Sequence, residues 1–213
     1  MTLEKLARMC EVLENQTPTM KVNTIVGAMP SFDDKARLMY ILSMEYNINN
    51  IGNKRAITWI AESLGLFEDE VESAVHTWGD IGEAVYEIDE GNEKDSDISL
   101  NTLIQLLEND CSSMSSNSFT IFKEHLNKMS AREKKWFLRY WLRTPRNGIN
   151  AGLVKKLLAK VYDKKLIEIK KHHQLHSLSD IALYYGSGRE PPNDWNFIVN
   201  AECLQKYCKN YKN

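Results

Sequence analysis

The sequence predicts an all-α protein of roughly ten to twelve helices, because helices average near 11–12 residues and helical periodicity dominates the chain. Apolar residues recur at helical spacing, as in Leu6, Met9 and Leu13, or in Val154, Leu157 and Val161. No long alternating strand pattern competes with this periodicity. At 213 residues, the chain is long enough to bury a substantial core.

The breaks between the predicted helices fall in stretches rich in Gly, Asn, Ser and Thr, the residues that favour turns. We expect loops around residues 16–19, 47–53, 91–96, 111–118, 144–150 and 186–194.

The two halves of the chain repeat one order of elements at an offset of about 97–100 residues. Each half has a helix predicted to start at a serine N-cap, Ser31 or Ser130, and Glu133 completes a capping box in the second. An Asn/Gly turn, an amphipathic helix and a closing segment follow, "GDIGEAVYEIDEG" or "SDIALYYGSG". This order predicts one domain over 1–190, built from pseudo-two-fold-related repeats at about 20–95 and 100–188, with a tail at 191–213.

Charge is distributed unevenly along the chain. Residues 1–100 carry 8 basic and 19 acidic residues, a net of −11, whereas residues 101–213 carry 19 and 10, a net of +9. Residues 123–171 alone carry 15 basic and 4 acidic residues, a net of +11. This asymmetry fits either a surface that faces a polyanion or a set of solvated, lysine-rich helix faces.

The expected location is intracellular. No run of about 18 apolar residues predicts a membrane span, and the charged start "MTLEKLARMC" is unlike a secretory signal. Four cysteines are scattered without metal-ligand spacing, so reduced thiols are expected: Cys10, Cys111, Cys203 and Cys208.

The two Asn/Gly turns are the most informative local features. Gly52 and Gly148 allow close backbone approach of a ligand, and each is followed by a helix whose first N–H groups face outward. Such a helix start suits phosphate, and basic residues flank both turns. Two matched turns of this kind predict a grip on both backbones of a duplex, although a single Gly turn would more simply join two helices.

At these residues the chain resembles the N-terminal DNA-binding domain of ATP-dependent DNA ligases of the archaeal, eukaryotic and viral kind. The similarity extends from about Leu3 to Gly188. Its best segments are "NIGNKRAITWIAESLGLFEDEVESAVHTWGDIGEAVYEI", "LRTPRNGINAGLVKKLLAKVYDKK" and "HSLSDIALYYG". The motifs are weak singly, but their order, spacing and duplication are specific.

The resemblance implies sequence-nonspecific binding to duplex DNA through the minor groove and phosphate backbone, on both sides of a nick. By position, it assigns a first contact loop at Ile51, Gly52, Asn53, Lys54 and Arg55. It assigns a second at Arg143, Arg146, Asn147, Gly148, Ile149 and Asn150. The candidates for a third are Ser116, Asn117, Ser118 and Thr120.

Ligase chemistry is not expected from this chain by itself. The nucleophilic lysine of these ligases lies in a Lys-x-Asp-Gly motif, and the chain has no Asp-Gly dipeptide. No catalytic residue, metal or cofactor is therefore assigned, and ATP and Mg would belong to a separate catalytic core acting in cis or in trans. The expected partners are nicked duplex DNA and that core, with the chain itself a monomer.

Other clusters have plainer explanations. Asp80 and Glu83, and the acidic run 68–72, are expected at solvated helix starts, which favour acids. The aromatic string Trp136, Phe137, Tyr140 and Trp141 is expected in the core. In "IKKHHQLH", His172 and His176 are spaced to share a metal, but no third ligand is evident, so the stretch is expected to be scaffold.

Two further functions compete with DNA binding by a ligase module, which the sequence leaves either excised or encoded alone. One is a helical protein-interaction scaffold that kept the fold and lost DNA binding. The acidic first half favours it, as do two departures from the family pattern: Pro145 in the second turn, and no basic pair in the third region. The other is a complete enzyme of unrecognised chemistry.

Overall fold

The computed structural model describes residues 2–31, 34–46, 51–94, 96–111, 113 and 115–192. These ranges contain twelve α-helices and no β-strand, which confirms the predicted all-α class. An isolated antiparallel bridge joins Thr2 and Ser99. None of the described helices combines the length and apolar character needed to cross a membrane.

The helices are α1 Leu3–Glu14, α2 Pro18–Ala28, α3 Lys35–Ser43, α4 Asn53–Leu64, α5 Glu68–Trp78, α6 Ile81–Ile88, α7 Leu100–Gln105, α8 Ser116–Leu126, α9 Ala131–Trp141, α10 Ala151–Val161, α11 Leu166–His172 and α12 Leu178–Gly186. A 3₁₀ turn at Met29–Ser31 follows α2, and a π-helical turn at Leu106–Asp110 extends α7.

One predicted helix start is confirmed and the other is wrong. The Ser130 hydroxyl caps α9 by accepting a hydrogen bond from the Glu133 amide. The Glu133 carboxylate in turn accepts a hydrogen bond from the Ser130 amide, which completes the expected capping box. In the first half, the 3₁₀ turn includes Ser31, so α3 begins later. Asp34 is its N-cap and accepts the Arg37 amide at 2.9 Å, because aspartate caps a helix as well as serine does.

The chain forms two compact units. Unit 1 contains Met1–Lys21 and Tyr46–Gly148, and its core is rich in aromatic residues. Trp59 of α4 lies 5.4 Å from Phe122 of α8 and stacks at 5.9 Å on Trp141 of α9, measured between ring centroids. All four aromatic residues of the α9 string are at most 1% exposed, which confirms their predicted place in the core.

Helices α6 and α9 of unit 1 approach closely at Gly82. A Cβ at this position would lie 2.7 Å from both the Arg139 Cγ and the Lys135 carbonyl oxygen. The second glycine of "GDIG" is therefore required for helix packing.

Unit 2 contains Val22–Glu45 and Ile149–Asn213. Here α12 packs against α3, and a Cβ on Gly186 would lie 2.4 Å from the Ala36 Cβ. The carboxylate of Glu45 accepts the Leu178 amide at the start of α12. In the described part of unit 2, α3 thus packs against α10 and α12, which come much later in the chain, and α10 packs against α11.

The helix pairings connect the two predicted repeats reciprocally. In unit 1, the closing helix of the first repeat, α6, packs against the opening helix of the second, α9. In unit 2, the closing helix of the second repeat, α12, packs against the opening helix of the first, α3. This exchange fits a duplicated architecture, whose two-fold symmetry remains a prediction.

Candidate nucleic-acid interface

The first predicted contact loop leads directly into α4 of unit 1. Gly52 is the N-cap and provides no side-chain hydrogen bond, and no described residue lies within 4 Å of where its Cβ would be. The next three side chains, Asn53, Lys54 and Arg55, are exposed, and the first turn contains no acidic residue. Ile51 is only 7% exposed, so it anchors the loop to the core. The loop residues before Ile51 lie outside the described ranges.

This helix start differs from the others in the described ranges. Seven helices have a side-chain acceptor at the N-cap: Asp34, Asp80, Ser99, Ser115, Ser130, Asn150 and Ser177. Of the other five helices, α1, α5 and α11 have an acid in the first turn, and at α2 the Thr17 hydroxyl lies 3.5 Å from the Met20 amide. Helix α4 has neither, so no described side chain caps its first amides, and its positive dipole end suits an anion.

The second predicted contact turn is divided between the units, and its larger part, Arg143–Gly148, belongs to unit 1. Three residues of this part have left-handed backbones, with φ of 59° at Arg143, 49° at Arg146 and 67° at Gly148. A positive φ is strained for arginine, and such strain clusters at binding sites.

Both arginines of this turn have exposed side chains that contact unit 1. The Arg146 guanidinium donates to the Gly79 carbonyl at 2.7 Å and lies 3.5 Å from the Asp80 carboxylate. The Arg143 guanidinium lies 6.0 Å from the centre of the Tyr46 ring. These contacts orient the two cations while leaving both side chains accessible.

Asn147 has a supporting position. It is 1% exposed, and its amide donates to the Tyr140 hydroxyl at 3.2 Å. Burial raises the pKa of the neighbouring Cys10 thiol to about 12, and burial likewise raises that of the Tyr140 hydroxyl well above its usual value. The cluster is therefore neutral at physiological pH, and the Asn147 side chain holds the turn from inside.

The remaining residues of the second turn, Ile149 and Asn150, belong to unit 2. The Asn150 side chain is the N-cap of α10 and accepts the Leu153 amide at 3.0 Å. The first two residues of α10, Ala151 and Gly152, are small and exposed. This helix start is therefore accessible, although Asn150 already satisfies one of its amides.

The third predicted region forms the start of α8 in unit 1. Ser116, Asn117 and Thr120 are exposed, whereas Ser118 is 4% exposed and bonds the hydroxyls of Ser113 and Ser115 at 2.9 Å each. Ser118 thus stabilises the loop from inside, and the exposed side chains here are neutral.

Several of the fifteen basic residues at 123–171 pair with carboxylates within unit 1. Helix α9 contributes Lys134, which pairs with Asp89 at 2.6 Å, and Lys135, which pairs with Glu83 at 2.8 Å. On the same helix, Arg132 pairs with Glu4 and Glu11, and Arg139 pairs with Glu14, Asp80 and Glu83. The acidic first half and the basic second half therefore neutralise each other in part.

The predicted solvated position of Asp80 is wrong, because Asp80 is only 8% exposed. It caps α6 by accepting the Glu83 amide, and both its oxygens bond Arg139. Burial raises the pKa of Asp80, but the hydrogen bonds from Arg139 and Glu83 and the charges of Arg139 and Arg146 together outweigh burial, so the net pKa lies below its usual value. The acidic residues at 68–72 are exposed, as predicted.

The histidines of "IKKHHQLH" have ordinary structural partners in unit 2. His172 Nδ1 lies 2.9 Å from the Tyr185 hydroxyl, and His176 Nε2 lies 2.6 Å from the Pro192 carbonyl. His173 lies 3.4 Å from Glu45. In the described ranges, no three His, Cys, Asp or Glu side chains are grouped to hold a metal ion. Of the cysteines, Cys10 and Cys111 are free and buried, and Cys203 and Cys208 lie outside the described residues.

Lys21 of α2 is a residue that sequence reasoning missed. Its ammonium donates to the Asn147 carbonyl at 2.6 Å, beside the exposed Gly148. Because 126 residues separate Lys21 from Asn147, no local pattern indicates this contact.

Comparison with known proteins identifies the family. Residues 2–159 match the family model described as DNA ligase N terminus. A DNA ligase of Methanobrevibacter smithii is 29% identical over 128 residues, covering 55% of this chain and 23% of the ligase. The match thus spans about a quarter of that relative. Because the family model covers well over half of the sequence, the chain belongs to the DNA ligase N-terminus family.

Proposed function

We propose that this chain binds duplex DNA, nicked DNA in particular, through the minor groove and phosphate backbone and without sequence preference. The observation that carries the proposal is the start of α4: an uncapped helix N-terminus behind Gly52, flanked by exposed Lys54 and Arg55 and free of acids. Amide groups and cations aimed at one place are the features that bind phosphate.

The second turn provides the other proposed set of phosphate contacts. Arg143 and Arg146 are accessible cations on a left-handed backbone, and Gly148 beside them is exposed. At the third region, Ser116, Asn117 and Thr120 offer only neutral hydrogen bonds. Asn147 and Ser118 position their loops instead of touching DNA, because both side chains are buried.

This arrangement acts by position and charge. Phosphate contacts fix a protein on a duplex and contain no sequence information. The proposed role is to hold nicked DNA for a catalytic core of an ATP-dependent DNA ligase, in the same chain or a separate one, as part of DNA repair, replication or recombination. That core would bring the adenylated lysine, ATP and Mg.

The test is combined charge removal at the two turns: Lys54→Gln, Arg55→Gln, Arg143→Gln and Arg146→Gln. We expect affinity for a nicked duplex to fall by orders of magnitude, while circular dichroism reports unchanged helix content. A matched control removes four exposed lysines away from the turns: Lys5, Lys35, Lys128 and Lys170. Equal losses in both variants would indicate a general charge effect and contradict the proposal.

A protein-interaction scaffold is the second candidate function, and α5 favours it. Phe67 is 76% exposed and Trp78 is 48% exposed, at opposite ends of a helix with an acidic exposed face. Exposed aromatic residues are common in protein interfaces. Wild-type protein that shows no salt-sensitive duplex binding would favour this function over DNA binding.

A further inference from the structure

Lys21 is a buried lysine that has no carboxylate partner among the described residues. Lys21 is 6% exposed, and the contact described for its Nζ is the Asn147 carbonyl at 2.6 Å. Within the described ranges, no carboxylate forms an ion pair with it. A lysine ammonium has three donors, so one carbonyl leaves it incompletely satisfied.

The buried lysines of α9 show how the chain otherwise handles such a charge. The side chains of Lys134 and Lys135 are 3% and 7% exposed, and each pairs with a carboxylate within 3 Å. Burying an unpaired charge is unfavourable, and buried charges are normally paired. Lys21 departs from this pattern at the turn proposed to contact DNA.

Gly148 leaves the space that the ammonium occupies. It is exposed and has φ of +67°, and an added Cβ would lie 2.3 Å from Lys21 Nζ. The ammonium therefore lies against the backbone of this exposed glycine. An anion resting on the outer side of the turn would lie close to the ammonium.

We propose that Lys21 and the Asn147–Gly148 turn form an anion site for one phosphate group, with a backbone phosphodiester of duplex DNA as its ligand. Lys21 adds a third cation to the second contact turn, beside Arg143 and Arg146, and its hydrogen bond to the Asn147 carbonyl holds it at the turn. The duplex part rests on the proposed function, whereas the phosphate chemistry is independent of it.

The first test compares Lys21→Met with Lys5→Met, which removes the same charge from an exposed position on α1. Affinity for a nicked duplex is measured at several salt concentrations. Loss of one phosphate contact makes the slope of log affinity against log salt less steep by about 0.9. The fall in affinity between about 50 and 200 mM salt then becomes about threefold smaller. We expect this change for Lys21→Met alone, and equal slopes for both variants would overturn duplex contact by Lys21.

Two glycine variants test the site without removing the charge. Gly148→Ala places a methyl group where the ammonium lies and forces Lys21 to move. Gly65→Ala is the control, because Gly65 has a similar φ of +71° with nothing within 4 Å of the added Cβ. The two variants share the backbone strain, so a weaker duplex affinity of Gly148→Ala alone supports the site. Equal affinities contradict it.

Inorganic phosphate separates the anion site from DNA binding. In ¹H–¹⁵N spectra at constant ionic strength, we expect phosphate to shift the Gly148 amide in a saturable way in the wild type and in Lys5→Met, but not in Lys21→Met. If this pattern holds while the wild type fails to bind duplex, the anion site stands and the proposed function fails. A Gly148 response that is unchanged in Lys21→Met would overturn the inference.

Discussion

Two basic regions of unit 1 differ in burial and in ion pairing. On α9, Lys134, Lys135 and Arg139 are buried and paired with carboxylates. At the start of α4, Lys54 and Arg55 are exposed in a first turn without acids. Each of these five side chains has the same formal charge of +1, and its surroundings decide what that charge does.

The comparison shows that an uneven charge distribution along a chain is ambiguous evidence for a polyanion partner. The carboxylates that pair with α9 come from the first hundred residues, so part of the asymmetry reflects complementary surfaces inside unit 1. Few cations remain for the proposed DNA contacts, and we assign them from the geometry of the turns. The following predictions test this division between structural and binding cations.

The largest effect is expected at Arg139. Arg139→Met leaves Asp80 buried beside Glu83 without their shared guanidinium, and breaking a buried ion pair costs about 3–5 kcal/mol. Urea unfolding measures the loss. The control is Arg55→Met on the exposed α4 start, where we expect a change within about 0.5 kcal/mol. Similar losses in both variants would contradict the comparison.

A smaller loss is expected for Gly82→Ala. The new methyl group would meet Arg139 Cγ and the Lys135 carbonyl at 2.7 Å, and overpacking of this kind costs about 1–3 kcal/mol. Gly27→Ala is the matched control, because Gly27 lies in α2 with nothing within 4 Å of an added Cβ. Alanine there should be neutral or stabilising by up to about 1 kcal/mol. Thermal unfolding of the two variants distinguishes a packing effect from helix propensity.

The pH dependence of stability should report on the same network. The pKa of Asp80 in the folded protein lies below its usual value because the hydrogen bonds from Arg139 and Glu83 and the charges of Arg139 and Arg146 together outweigh burial. This stabilisation is fully present above the unfolded pKa of about 3.9 and is lost as pH falls through the folded pKa. We expect the stability difference between the wild type and Asp80→Asn to shrink below about pH 4. A difference that is independent of pH over this range would contradict the assignment.

The smallest effect on stability is expected at the start of α4, where we expect the largest effect on DNA affinity. Lys54→Gln with Arg55→Gln should change the free energy of unfolding by less than about 0.5 kcal/mol per site, because both side chains are exposed. A marked loss of stability would show that these cations support the fold. Urea unfolding decides this before any binding measurement is interpreted.

The sequence predicts features that depend on local pattern. Periodicity indicates the helices, the Ser130 capping box is complete within four residues, and the aromatic string of α9 lies in the core as expected. Predictions fail where a residue distant in sequence determines whether a side chain is buried. Asp80 looks like a solvated helix start until Arg139, 59 residues away, covers it. The role of Lys21 depends on Asn147, 126 residues away.

The candidate site is partly local as well. Gly52, Lys54 and Arg55 follow from a short motif, and their exposure at an uncapped helix start agrees with it. The buried positions of Asn147 and Ser118 do not follow from their loops, because each side chain bonds inside the protein. Residue type alone therefore predicts the turns but does not distinguish exposed side chains from buried supporting ones.

The salt dependence of duplex affinity tests the central claim most directly. For wild-type protein and a nicked duplex, we predict a fall by orders of magnitude between about 50 and 200 mM salt, independent of duplex sequence. Lys54→Gln with Arg55→Gln should lower the slope by about 1.8, which corresponds to two lost phosphate contacts. A wild-type affinity that stays constant over this range would contradict the account.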